Sequence, residues 1–287
     1  MARLILVCLL ILGCRRAPSG SGPIVVVDDG RFTTRLSRPA VRVVSLMPAS
    51  TELVFALGAG SLLVGRTTWC DYPAEAVQVP SVGDGLAPNV EAIVAQRPDL
   101  VLSYRSPSNA PAIDRLRGLG IAVLELAIDQ FADFERDARM VATALGRAAV
   151  GDSLVAATRA DLERSTVISQ QPVSVLMVAW SDPPMTLGGG SFLSEIVSRA
   201  GARNVFDDAT RPSFVVSLEA VVDRHPDRIL VVGDAEPEFA TRPEWQVVPA
   251  VRLRHFVRVE GSLFNRPSPR IGAAVRTLTA ALAAMPR

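Results

Sequence analysis

Short, mainly apolar runs alternate along the chain with stretches whose apolar positions fall three and four residues apart. Runs at residues 41–46, 100–102, 123–126 and 174–179 read as buried strands, because strands covered on both faces need no polar alternation. Helical spacing appears at residues 48–57, with Leu53 and Leu57 on one face, and again at 110–119, 134–145 and 192–199. Strand and helix in alternation predict parallel βαβ units, hence an α/β fold. Ahead of them, residues 24–27 and 31–36 flank Asp28-Asp29-Gly30 and predict a β-hairpin. The helix after Pro48 opens with Ser50, Thr51 and Glu52, residue types that suit unpaired helix N–H groups and the dipole. Gly58-Ala59-Gly60 closes it.

The pattern repeats. Glu91-Ala92-Ile93-Val94-Ala95-Gln96-Arg97-Pro98-Asp99-Leu100-Val101-Leu102 returns as Glu219-Ala220-Val221-Val222-Asp223-Arg224-His225-Pro226-Asp227-Arg228-Ile229-Leu230. Each copy predicts a short helix, a break at proline and a buried strand. A looser parallel relates residues 43–58 to 175–201. Between the two sets, residues 148–166 carry Leu154, Val155, Thr158 and Leu162 at helical spacing, with no Gly or Pro after Gly151. Such a helix is about 28 Å long and can link two lobes as a strut. The expected organisation is residues 24–146, a linking helix at 147–168, and residues 169–287.

Composition narrows the functional classes. With 30 Lys+Arg against 29 Asp+Glu, the net charge of +1 provides no broad attraction to nucleic acid, and 49% hydrophobic content excludes disorder. Only His225 and His255 are present, and neither sits in a cluster of metal-ligand spacing. No Gly-x-Ser-x-Gly elbow, phosphate-binding loop or His-Glu-x-x-His appears, so no catalytic residue, metal or cofactor is expected. Gly188-Gly189-Gly190 instead loosens the backbone before a helix.

The first residues read as an address. Arg3 precedes an unbroken apolar run at 4–12, too short to span a bilayer and suited to export. Ile11-Leu12-Gly13-Cys14 resembles a bacterial lipobox, which implies a signal at 1–13, lipidation of Cys14 and a Pro/Ser/Gly-rich tether at 14–23. Cys8 would leave with the signal, so Cys70 has no disulfide partner and is expected to be a half-buried packing residue.

Several segments together resemble the helix-linked bilobal substrate-binding proteins of bacterial importers for iron-siderophores, haem and cobalamin, and among them the cobalamin branch. They are Arg42-Val43-Val44-Ser45-Leu46-Met47-Pro48-Ala49-Ser50-Thr51-Glu52-Leu53, Cys70-Asp71-Tyr72-Pro73-Ala74-Glu75-Ala76, Asn89-Val90-Glu91-Ala92-Ile93, Pro98-Asp99-Leu100-Val101-Leu102, Val216-Ser217-Leu218-Glu219 and Arg266-Pro267-Ser268-Pro269-Arg270. The resemblance implies two Rossmann-like lobes joined by one long helix, the class III or helical-backbone type. It also implies a cleft holding one ligand, and a monomer, lipid-anchored in the periplasm, that docks on an ABC permease with a cytoplasmic ATPase.

By that resemblance Pro48, Ala49, Trp69 and Tyr104 face the ligand from the first lobe and Arg266 from the second. Glu91 and Glu219 would dock on permease arginines. Arg105, Trp180, Phe214 and Ser262 are further ligand candidates by position. Gly83-Asp84-Gly85 and Ser213-Phe214 stand where the branch often carries tryptophan, and Ser262 stands where it carries aspartate. A corrinoid is the expected ligand, with a ferric siderophore or haem as the alternative. A hydrolase or redox enzyme on two α/β lobes is the rival class, recognisable by a nucleophile and base within reach of each other.

Overall fold

The computed structural model describes residues 23–285 other than Asp234 and Asn265. The leader, Cys14 and most of the tether lie outside the described residues. No helix among the described residues is long and apolar enough to cross a membrane.

The first half begins with the hairpin β1 (Ile24–Val27) and β2 (Thr33–Leu36), paired antiparallel. It continues through β3 (Val43–Ser45), α1 (Pro48–Ala56), β4 (Leu63–Arg66), α2 (Val90–Ala95), β5 (Leu100–Tyr104), α3 (Ala110–Gly118), β6 (Ala122–Leu126) and α4 (Phe131–Ala144). Then α5 (Ala148–Ser165) crosses to β7 (Val173–Ser181), β8 (Pro184–Leu187), α6 (Phe192–Arg199), β9 (Ala202–Asn204), β10 (Ser213–Val215), α7 (Leu218–Asp223) and β11 (Arg228–Val232). The chain ends through α8 (Pro249–Arg252), β12 (Phe256–Val259), α9 (Gly261–Phe264) and α10 (Ile271–Ala283).

Strands β4-β3-β5-β6 form one parallel sheet, and β9-β7-β11-β12 repeat that order and direction in the second half. The repeat seen in sequence is therefore a repeat of structure, down to its joints. Arg97 and His225 both take φ of 48° as the chain leaves its helix. The aspartates that follow do equivalent work. Asp99 accepts from the backbone N–H groups of Val41 and Arg42, and Asp227 from Ser174, so each carboxylate fixes where its neighbouring strand begins. The looser parallel holds as well, since α1 and α6 are both followed by a left-handed glycine, Gly58 and Gly201.

Helix α5 spans 18 residues, about 27 Å, and packs on α4 from one half and α10 from the other. A β-carbon on Gly151 would collide with Ala142 of α4, and one on Gly272 of α10 would collide with Asp161 of α5. Close approach at both ends explains why glycine stands there. One apolar cluster consequently runs through α4, α5 and α10 into both sheets.

The predicted hairpin forms, and Asp28 in its loop is 3% exposed: its carboxylate accepts from the N–H groups of Phe32 and Glu125 and from Arg117, which moors the loop on β6. Two expectations need correction. Helix α1 begins at Pro48 with no side-chain cap and no acidic residue in its first turn, so Ser50, Thr51 and Glu52 do not serve its N-terminus, and Glu52 is buried at 3%. Cys70 is fully buried, with Sγ 3.2 Å from Thr67 Oγ1. The antiparallel strands β8 and β10, added beside β7, were not anticipated.

Candidate functional site

Parallel strands place all their carboxyl ends on one edge, so the loops that follow them form a common surface in each lobe. On the first lobe that edge carries Pro48, half-buried where α1 begins, and Ala49, buried beneath it. Trp69 follows β4 and is 61% exposed. Its indole Nε1 donates to Asp84 Oδ1 at 3.3 Å, and the same oxygen accepts from the N–H of Leu86 at 2.8 Å. The loop holding Asp84 lies flat on the sheet edge, because a β-carbon at Gly85 would strike the carbonyl oxygen of Leu46.

Tyr104 ends β5 and donates its hydroxyl to Asp129 Oδ1 at 3.0 Å. Burial, reinforced by the charge of Asp129, pushes the phenol up to about 12, so it stays neutral and its hydroxyl is already engaged. Arg105 is exposed and turns aside into a cavity of about 470 Å³ shared with Asp29, Arg31, Asp129 and Arg136.

In the second lobe Trp180 lies near the end of β7, 63% exposed, with Nε1 donating to the carbonyl of Asp182 at 2.9 Å. It lines a shallow cavity of about 220 Å³ with Glu238 and Phe239. Phe214 on β10 packs edge-to-face on Phe206 at 5.7 Å, so part of its ring belongs to the lobe's own core. Ser262 on α9 donates its hydroxyl to Glu260, while its carbonyl accepts from Arg270 at 3.0 Å. Arg266 is only 7% exposed. Its Nη2 reaches across to Asp71 Oδ1 of the first lobe at 2.8 Å.

The lobes meet at further residues that sequence reasoning passed over. Arg270 forms a two-pronged pair with Glu52, at 2.7 and 2.9 Å, and lies 3.6 Å above the Tyr72 ring. Arg266 and Arg270 belong to one Arg-Pro-Ser-Pro-Arg run, in which two prolines interrupt any helix and leave both arginines free to reach out. That run, with an acidic residue on an otherwise apolar helix, was the available signal. On the other side of the molecule Glu195 of α6 accepts from the N–H of Phe131, the first residue of α4, at 3.1 Å. Beside that contact lies a cavity of about 800 Å³, lined by Gln130, Ile168, Glu195, Arg199 and Arg203 among others. It contains none of the nine expected ligand residues.

Glu91 and Glu219 occupy matching first turns of α2 and α7, both exposed, each helix capped by a side chain, Asn89 or Ser217. Glu91 pairs with Arg115 at 3.0 Å across the surface. The backbone N–H of Glu219, then Ser217, holds its carboxyl below the usual range. Among the described residues no group of three or more His, Cys, Asp or Glu could hold a metal ion.

One buried acid stands apart. Asp137 of α4 has no exposure, and Arg136 Nη2 is 3.2 Å from its Oδ1. Burial, then the charge of Asp29, pushes its carboxyl up to about 8, against the opposing pull of Arg136. A folded-state value above the unfolded one means that the native protein holds the extra proton between the two. The contribution of this carboxyl to stability is therefore greatest below the unfolded value and is lost as pH rises from about 4 to about 8. Asp137→Asn is expected to flatten that decline and raise Tm above pH 8 by several degrees, as followed by thermal melts from pH 4 to 9.

The profile of the periplasmic binding protein family matches residues 43–262. An uncharacterized ABC transporter substrate-binding lipoprotein of Bacillus subtilis, YvrC, is 30% identical over 89% of this chain and 84% of its own. The vitamin B12-binding protein of Pectobacterium atrosepticum is 30% identical over 84% of this chain and 88% of its own. Among solved structures, the periplasmic heme-binding protein RhuT from Roseiflexus sp. RS-1, in apo form, superposes with a TM-score of 0.74 at 25% identity, covering 84% of this chain and 97% of that one. Duplicated parallel sheets, a single helical strut and these likenesses agree, and the chain belongs to the periplasmic binding protein family, whose members are substrate-binding components of ABC transporters and not enzymes.

Proposed function

We propose that the protein captures a corrinoid between its lobes and delivers it to an ABC permease from a lipid anchor at Cys14. The observation that carries this reading is the pair of exposed indoles, Trp69 on the first lobe and Trp180 on the second, at 61% and 63% exposure. Each ring N–H is already satisfied within its own loop, by Asp84 and by the carbonyl of Asp182. What remains to each indole is an apolar face, which suits a large ring system with an apolar body and a polar rim. Pro48 supplies a further apolar surface nearby on the first lobe, and Tyr104 offers its ring while its hydroxyl is held by Asp129. The 30%-identical relatives named as vitamin B12-binding proteins support the same ligand class.

Glu91 and Glu219, one exposed acid at the same place in each lobe, are assigned to docking on basic residues of the permease, where complementary charge speeds a transient encounter. The unit that docks is a monomer. Haem is the second reading, favoured by the likeness to RhuT.

Tryptophan quenching on titration with cyanocobalamin, haem and a panel of ferric siderophores tests the choice. One-to-one corrinoid binding, with haem and siderophores at least about a hundredfold weaker, is the expected result. Preference for haem or a siderophore would replace the ligand while keeping the transport role.

A further inference from the structure

We infer that Asp71 sets the charge of the ligand, selecting neutral amide-bearing chelates over carboxylate-bearing ones; the inference rests on the corrinoid reading above. Arg266 is the group through which it acts. This guanidinium is 7% exposed, and its Nη2 donates to Asp71 Oδ1 at 2.8 Å across the gap between lobes. Its Nε and Nη1 are buried and have no hydrogen-bond partner among the described residues. A buried donor without an acceptor is costly, and a guanidinium with two of them is built to receive acceptors from elsewhere.

The kind of acceptor follows from which nitrogen is taken. A guanidinium chelates a carboxylate along one of two edges, Nε with Nη2 or Nη1 with Nη2, and Nη2 belongs to both. Asp71 holds that shared nitrogen. Nη2 carries one N–H on each edge, so a ligand carboxylate taking a two-pronged grip on either edge must share that nitrogen with Asp71 and lie beside its negative charge. An amide carbonyl needs one N–H, and Nε and Nη1 each provide one without disturbing the pair.

Charge balance points the same way. Arg266 and Asp71 cancel, so the site offers hydrogen bonds with no net attraction for an anion. Asp71 keeps 59% of its side chain exposed, which leaves its carboxylate beside whatever enters along the Trp69 loop. Both donors are sealed from solvent. A ligand acceptor that reaches them lies beside the Asp71 carboxylate, whose charge repels an anion and leaves a neutral amide untouched.

The test is a ratio rather than an affinity. Dicyanocobinamide and dicyanocobyrinic acid share the corrin ring, carry no nucleotide, and present amides in the first and carboxylates in the second. Wild type is expected to bind the amide form at least about tenfold more tightly, and Asp71→Asn to reduce that ratio by about tenfold or more. Asp71→Glu keeps the charge and is expected to keep the preference, which guards against a variant that merely loosens the fold. Haem and its dimethyl ester form a second pair of acid and neutral ligands, and the same shift is expected there. Binding of either pair with a ratio unchanged in Asp71→Asn overturns the inference and leaves the corrinoid reading standing. Binding of the haem pair alone, with the Asp71→Asn shift present, overturns the corrinoid reading and sustains the role of Asp71. Absence of binding by both pairs overturns both.

Discussion

Glu52→Ala lowers the unfolding free energy by about 3–5 kcal/mol, the loss expected when one partner of a buried ion pair is removed and the other is stranded. Glu52 is 3% exposed and accepts two hydrogen bonds from Arg270, whose own side chain is 20% exposed. With the carboxylate gone, the guanidinium keeps only the Ser262 carbonyl and the face of Tyr72. The loss is larger than for the exposed Glu91–Arg115 pair, where two charges in water gain well under about 1 kcal/mol. Chemical denaturation of wild type, Glu52→Ala, Arg270→Ala and the double variant gives the coupling directly. Additive losses would show that the pair contributes nothing beyond its separate parts. Because Glu52 lies on the first lobe and Arg270 on the second, the unfolding transition of Glu52→Ala is also expected to broaden as the lobes lose cooperativity.

The second large effect falls on binding. Trp69→Ala is expected to weaken corrinoid affinity by about 30-fold or more, a loss of at least about 2 kcal/mol, as for a central aromatic anchor. Its effect on stability is expected to be small, since the side chain buries little against the protein. Titration and thermal melts of the same preparation check both halves. A fall in Tm matching the loss in affinity would make Trp69 a packing residue. Asp84→Ala frees the indole without removing it, and a smaller loss of binding is expected from it.

Most of the architecture was legible because it is locally encoded. The α2–β5 and α7–β11 joints announce themselves through Pro-Asp, where proline ends the helix and aspartate ties down the next strand. The strut declared itself by helical spacing with no glycine or proline after Gly151; the helix ends one residue short of the spacing at 148–166 and lies within the expected linker at 147–168. Features that depend on meetings between distant residues were not legible. Glu52 and Arg270 are 218 positions apart, and nothing local to either names the other. Strand β8 was hidden because Asp182-Pro183-Pro184 signals a turn, and proline is tolerated as the first residue of a strand. For the site, Trp69, Trp180 and Arg266 could be named from sequence, but Asp71, Asp84 and Tyr72 could not, since their importance lies in what they hold.

The two glycine contacts of the strut bear on how such proteins can diversify. With Gly151 pressed on Ala142 and Gly272 on Asp161, helix α5 is keyed to α4 and α10 together, and the apolar cluster runs through all three. Swapping one sheet with its loops for that of a relative would put two unmatched surfaces against the same helix, because close-packed interfaces tolerate little change in volume. The exchangeable unit is therefore the rim of loops that bears Trp69, Asp84 and Trp180. A lineage, or an engineer, can vary that rim while the keyed three-helix spine is inherited whole.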